Sequence, residues 1–266
     1  MKVLITRPRA QAKSFGDALK MAGFEPIYFP VVEIQAVENN TELDNAIKNL
    51  AEYDWVVFTS VNAVDVVFGL TVGATRLGFT GVLDHHDGSP LPRVAAIGPK
   101  TAAALRKHKI EPDFIPSEYV AEAILPGLGD LSGKWVLLPR AEIAREELPE
   151  AIAKAGGIAH EVVVYQTLPA KVDMDGLAAL KSGVDVITFT SASTVQDFVA
   201  TAKQNGLDPL NLPNNPLFAC IGPITEQAAR EEGLSNLVVA KEYTTDGLIE
   251  AISEYVNTVT GIQVNK

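Results

Sequence analysis

Trp55-Val56-Val57-Phe58-Thr59-Ser60-Val61-Asn62-Ala63-Val64 passes without a break from an apolar run, through two hydroxyl residues, into a helical pattern. Four consecutive apolar residues that lead through a short turn into a helix describe a strand buried on both faces, the kind found in parallel sheets layered by helices. The same alternation continues outward. Upstream, Leu43, Ala46, Ile47 and Leu50 recur at helical spacing, and Val3-Leu4-Ile5 and Pro26-Ile27-Tyr28-Phe29 read as strands. Between those strands, Phe15, Ala18, Leu19 and Ala22 fall at i, i+3, i+4 and i+7, with Gly23 at the stop position. The expected fold class is α/β with parallel sheets.

The opening stretch has a second copy. Phe58-Thr59-Ser60-Val61 returns as Phe189-Thr190-Ser191-Ala192, an offset of 131 residues (190 − 59). Val3-Leu4-Ile5-Thr6-Arg7-Pro8-Arg9-Ala10 resembles Trp135-Val136-Leu137-Leu138-Pro139-Arg140-Ala141, and aligning Pro8 with Pro139 gives the same offset. Ala96-Ile97-Gly98-Pro99-Lys100-Thr101 returns as Cys220-Ile221-Gly222-Pro223-Ile224-Thr225, and Glu118-Tyr119 as Glu242-Tyr243, both offset by 124 (222 − 98 and 242 − 118). Two copies at a period near half the chain describe a duplicated domain rather than a solenoid, which needs at least three short repeats. The shorter second offset places extra residues in the first copy, and the Gly- and Pro-bearing stretch 71–93 is expected to hold them as a surface excursion. Residues 257–266 lack a sustained period and are expected to fray.

Bulk properties exclude several function classes. The chain has 266 residues, is 47% hydrophobic, and carries a formal net charge of −11. That charge argues against nucleic acid and anionic membranes as partners, since both require a basic surface. No apolar run approaches the roughly 20 residues of a membrane span. Met1 to Ile5 runs directly into a strand pattern without a signal-peptide core, so a cytoplasmic location is expected. One cysteine, Cys220, lies in an apolar setting and reads as core packing. His85, His86, His108 and His160 show no metal-ligand spacing, so no metal is expected. Gly-x4-Gly-Lys-Ser/Thr and Gly-x-Gly-x-x-Gly loops are both absent, which disfavours a nucleotide-dependent enzyme of flavodoxin-like build.

Four turns remain as candidates for chemistry. Thr59-Ser60, Thr190-Ser191, Gly98 with Thr101, and Gly222 with Thr225 each sit after a strand and before a helix. In a parallel sheet that junction is the carboxyl edge, where ligands bind. Any one hydroxyl there reads equally as a helix cap. Their recurrence in both halves adds the second reading, helix N-termini open to anionic groups. Arg7, Arg140 and Arg145 lie at or near strand ends, where a guanidinium grips a carboxylate or forms a surface ion pair. Tyr165 closes the strand Val162-Val163-Val164-Tyr165, beside polar residues.

Taken in order, Leu4-Ile5-Thr6-Arg7-Pro8, Phe58 to Val64, Val164-Tyr165-Gln166-Thr167, Phe189 to Ser193 and Ala219 to Thr225 make the chain resemble the uroporphyrinogen-III synthase family over about residues 2–252. The resemblance implies two flavodoxin-like α/β domains joined by a two-stranded β-ladder, with the ligand cleft between them. One domain would comprise 1–35 with 169–266, the other 36–168. It implies a cofactor-free lyase that cyclises hydroxymethylbilane to uroporphyrinogen III, losing water and inverting ring D. Tyr165 matches the family's most implicated tyrosine, and Arg145 aligns with a substrate-contacting position. The candidate turns and strand-end arginines suit that substrate, so binding is expected through Arg7, Thr59, Ser60, Gly98, Thr101, Arg140, Arg145, Thr190, Ser191, Gly222 and Thr225, in a monomer with transient contact to hydroxymethylbilane synthase. A two-domain ligand-binding module without catalysis is the rival reading.

Overall fold

The computed structural model describes residues 1–69, 91–118 and 121–260. The chain separates into two compact units, Met1–Glu33 with Leu168–Lys266, and Ile34–Thr167. The stretch 71–90, His85 and His86 within it, Tyr119, and residues 261–266 lie outside the described part.

The first unit is built on β1 (Lys2–Ile5), β2 (Glu25–Tyr28), β8 (Val186–Phe189), β9 (Leu217–Cys220) and β10 (Leu237–Val239). Their order is β10-β9-β8-β1-β2, every pair parallel. The second sheet takes β3 (Val32–Ala36), β4 (Trp55–Phe58), β5 (Arg93–Ala96), β6 (Trp135–Ala141) and β7 (Ile158–Pro169) in the order β3-β7-β6-β4-β5. From β7 to β5 the pairs are parallel.

Burial explains the continuous apolar runs. Every residue of β4, β8 and β9 is buried, because helices cover both sheet faces. Side chains alternate between those faces with period two. Leu4, Ile187, Phe189 and Phe218 join the core beneath α7 (Met174–Ser182), α8 (Ala192–Gln204) and α9 (Pro223–Glu231). Val3, Ile5, Val186 and Leu217 face α1 (Arg9–Met21) and α10 (Thr245–Thr260). In the second unit Val56, Phe58 and Leu137 pack against α2 (Thr41–Lys48), α3 (Val61–Val67) and α4 (Pro99–Lys107). Trp55, Val57 and Val136 pack against α5 (Ala121–Leu128) and α6 (Glu147–Lys154). Cys220 is fully buried, which pushes its thiol up to about 12.

Strand register corrects one detail of the duplication. Val3 pairs with Val186 and Leu4 with Ile187, while Val136 pairs with Trp55 and Leu137 with Val56. Because Trp55 and Val186 are equivalent, so are Val3 and Val136, an offset of 133 (136 − 3) rather than 131. Gly23 and Gly156, both at positive φ after their helices, keep that 133. Arg7 is therefore the counterpart of Arg140, and the match of Pro8 to Pro139 is two residues out of register. A further correction concerns the C-terminal stretch, where α10 continues through residues 257–260 to Thr260.

Both copies lock their central strand pair at the amino end with an aspartate. The Asp185 carboxylate accepts the Lys2 N–H at 2.6 Å, and Asp54, its counterpart at 131, accepts the Trp135 N–H at 2.9 Å. Asp54 also accepts Lys134 Nζ at 2.7 Å. Partial burial pushes the Asp54 carboxyl up, but the Lys134 and Trp135 hydrogen bonds outweigh it and hold it below the usual aspartate value. A lowered carboxyl stabilises the fold at neutral pH, and that stability is lost as pH falls through the lowered value. Asp54→Ala should cost about 1–2 kcal/mol near pH 7. In urea titrations at descending pH, the gap to wild type should close below about pH 4.

Candidate active site

Strands buried on both faces present polar groups mainly at their ends, so the carboxyl edges of the two sheets collect the candidate residues. In the second unit, Ile97 N–H donates to Phe58 O at 2.9 Å, setting the Thr59-Ser60 and Gly98 turns side by side. In the first, Ile221 N–H donates to Phe189 O at 3.0 Å, and does the same for Thr190-Ser191 and Gly222.

The four turns differ in how their helices begin. Ser60 Oγ accepts the Ala63 N–H at 3.0 Å and caps α3. Ser191 caps α8 in a reciprocal box, accepting Thr194 N–H at 3.2 Å while Thr194 Oγ1 accepts the Ser191 N–H at 3.2 Å. At these two sites the capping reading is realised. Thr59 is exposed and Thr190 half-buried beside them. The helices after Gly98 and Gly222 carry no side-chain cap and have proline in the first turn. Proline has no N–H to satisfy, and the N–H groups behind it are the ones that receive an anion. Thr101 and Thr225, at 4% exposure each, point away from that role; the open surface of these turns belongs to Pro99 and Lys100, and to Pro223 and Ile224.

Tyr165 is placed by a break in register. Arg140 pairs with Val163 and Ala141 with Tyr165, so Val164 is the extra residue of a bulge. Bulges rotate the residues that follow them. Val164 and Tyr165 are accordingly both buried, at 0% and 7% exposure, where strict alternation would separate them. The Tyr165 hydroxyl donates to Ser60 Oγ at 3.1 Å. A serine hydroxyl has two acceptor sites and one donor. Ser60 spends both acceptor sites, on Ala63 N–H and Tyr165 O–H, which leaves its own hydrogen to be donated outward from a half-buried position.

The equivalent arginines have opposite surroundings. Arg140 is 7% exposed; its guanidinium is paired with the Glu161 carboxylate, lies 3.4 Å from Glu146 Oε1, and donates to the Arg145 carbonyl at 2.7 Å. Arg140 is thus occupied within the chain, and Arg145 stands exposed beside it. Arg7 donates to Gln11 Oε1 at 2.9 Å, while its Nε is buried without a partner. Burial pulls the Arg7 guanidinium below the usual arginine range. Among the described residues no carboxylate pairs with it. Next to it in sequence, Thr6 Oγ1 donates to Thr188 O at 2.6 Å and Thr188 Oγ1 donates to Leu4 O at 3.0 Å, bracing β1 against β8.

The sequence pattern alone missed two of these relations. The Arg7–Gln11 spacing of four was visible, but the Arg140–Glu161 pair and the bulge exist only once β6 and β7 are in register. Among the described residues, no cluster of three or more His, Cys, Asp or Glu is poised for a metal, and no helix is long and apolar enough to cross a membrane.

Comparison with known proteins points one way. The family model described as "Uroporphyrinogen-III synthase HemD" matches residues 13–250. A uroporphyrinogen-III synthase from Synechococcus elongatus is 32% identical, covering 97% of this chain and 96% of that protein. A putative uroporphyrinogen-III synthase from Methanocaldococcus jannaschii is 31% identical over 95% of this chain and 98% of its own. Among solved structures, the uroporphyrinogen-III synthetase of Helicobacter pylori superposes with a TM-score of 0.61 at 18% identity, covering 96% of this chain and 99% of that one. A mutant Thermus thermophilus uroporphyrinogen III synthase gives 0.58 at 19% identity, covering 97% and 99%. At those identities the structural likeness speaks for the fold.

Removing the Glu161 carboxylate strands a buried guanidinium. Glu161→Ala should lose roughly 1–3 kcal/mol in urea denaturation, and adding Arg140→Met should recover much of that loss.

Proposed function

The chain belongs to the uroporphyrinogen-III synthase family, and from that premise we propose how its two sheet edges carry out the family's reaction. The chain is a cyclising lyase of tetrapyrrole biosynthesis, converting hydroxymethylbilane to uroporphyrinogen III and water. The substrate loses its terminal hydroxyl to give an electrophilic azafulvene. Ring D attacks through its substituted carbon, and the resulting spiro intermediate fragments and recloses with ring D inverted. Without an enzyme the bilane closes to the uninverted type I isomer. The protein therefore has two tasks: to deliver a proton to the leaving hydroxyl, and to hold the acetate and propionate arms so that one closure geometry is near attack.

The observation that carries this reading is the Tyr165–Ser60 hydrogen bond. The Ser60 hydroxyl, its acceptor sites filled, donates to the leaving hydroxyl. As the carbon–oxygen bond breaks, Ser60 passes its proton on and takes the Tyr165 proton in return. The phenolate so formed recovers a proton when the cyclised pyrrole loses one, so the net product is macrocycle plus water. Tyr165, being buried, acts through Ser60 rather than by direct contact.

The arms need anionic subsites. Arg7 supplies the strongest, since a half-buried guanidinium with an unpartnered Nε and no carboxylate gains most when one arrives. The uncapped N–H groups after Gly98 and Gly222 supply neutral ones, which accommodates a polyanion on a chain of net charge −11. Thr59, Thr190, Ser191 and Arg145 border these subsites. Thr101, Thr225 and Arg140 serve by shaping them from behind. The finer architecture belongs to the same proposal. The order β2-β1-β8-β9-β10 is that of a flavodoxin-like sheet, and β3 and β7 form the two-stranded ladder. A cytoplasmic monomer would take its unstable substrate from hydroxymethylbilane synthase.

The test generates hydroxymethylbilane in place, adds the protein, oxidises the products and separates the porphyrin isomers. Mostly type III is expected; type I alone from fresh substrate would leave a tetrapyrrole-binding protein. Tyr165→Phe should lower kcat about 10–100-fold, water substituting in part, with KM little changed. Arg7→Gln should instead raise KM by roughly 10–100-fold, the worth of a charged hydrogen bond.

A further inference from the structure

Gly222 has extended backbone, φ −174° and ψ 177°, which any residue adopts. Its lack of a side chain therefore answers to something other than conformation. A Cβ built there would meet the Tyr243 ring at 3.3–3.7 Å, tighter than ordinary contact at its closest. One part of the ring is seated on Gly222, yet Tyr243 remains 64% exposed. Its backbone is held on both sides. Ala240 N–H bonds to Cys220 O at 3.0 Å, and Thr244 Oγ1 accepts the Gly247 N–H at 3.0 Å at the start of α10. A large aromatic ring seated on the Gly222 turn thus lies at the carboxyl edge of the sheet, where ligands bind, with much of its surface open.

We propose that Tyr243 is a positioning residue for the cyclisation, a platform on which a pyrrole ring of the tetrapyrrole stacks. The inference rests on the function proposed above, because that reaction brings aromatic rings bearing carboxylates to this edge. The platform complements the subsites for the arms: Arg7 and the Gly222 turn hold charges, and Tyr243 sets the tilt of a ring. Flat aromatic contact, in offset or edge-on geometry, adds directional preference to burial. Neither a phenolic proton nor a charge is needed, so phenylalanine should serve as well as tyrosine, whereas alanine should not.

Two measurements separate this proposal from the reaction it rests on. In the isomer assay, Tyr243→Ala should raise KM about 2- to 10-fold and increase the share of type I product, while Tyr243→Phe stays at wild-type values. In fluorescence titration with uroporphyrin III, which needs no turnover, Tyr243→Ala should weaken binding by a similar factor. Gly222→Ala, which displaces the ring, should act in the same direction. Melting temperatures of the Tyr243 variants should match wild type, since the side chain is largely exposed. Wild-type KM, isomer ratio and uroporphyrin affinity in Tyr243→Ala would overturn the platform while leaving the activity standing. Type I product from the wild type, with uroporphyrin affinity still dependent on Tyr243, would overturn the catalytic reading, and the role in cyclisation with it.

Discussion

Helices covering both faces of a parallel sheet confine its chemistry to the strand ends. Trp55–Phe58 and Val186–Phe189 are buried along their whole length, so neither strand offers a polar side chain to solvent from its middle. Everything able to meet a ligand is carried by the turn after each strand or by the first residues of the helix beyond it. The aspartates at the opposite, amino ends hold the strands in register, and that register decides which turn residues become neighbours. Ser60 meets Tyr165 because β4, β6 and β7 are aligned, and Thr6 meets Thr188 for the same reason in the first unit.

Duplication supplied each unit with the same raw materials, and the surroundings have sent them to different uses. The arginine after the first strand of each repeat is Arg7 in one and Arg140 in the other. Arg140 is neutralised by Glu161 and Glu146, which fixes the loop leading to α6. Arg7 has only an amide partner and an orphaned Nε. The turns divide likewise, since the serine turns consume their helix N–H groups in caps and the glycine–proline turns leave theirs uncapped. A buried cation is expensive unless paired, which the Arg140–Glu161 pair answers, whereas the half-buried Arg7 keeps an amide as its side-chain partner.

Much of this was legible in the sequence, for reasons that also explain what was not. The strands announced themselves because burial on both faces demands unbroken apolar runs, and Phe58-Thr59-Ser60 repeated at Phe189-Thr190-Ser191 because turn chemistry is local. The offset of the first strand misled because Pro8 and Pro139 are chemically alike, whereas the backbone aligns Arg7 with Arg140. Thr101 and Thr225 read as ligand-facing hydroxyls, yet the third position of a helix lying on a sheet turns its side chain inward. The bulge at Val164 leaves no trace in Val162-Val163-Val164-Tyr165, since four apolar residues fit either register.

The division between the units bears on how a conformational task is met with ordinary side chains. Ring inversion requires that the bilane's ends be held in a geometry they do not adopt freely, which calls for fixed anchors more than for reactive groups. The first unit holds the open cation and the exposed aromatic ring, both on braced backbone. The second holds the hydroxyl pair, whose own cation is internally neutralised. In the second unit the Arg140 charge is balanced by Glu161, whereas Arg7 in the first has no carboxylate partner among the described residues.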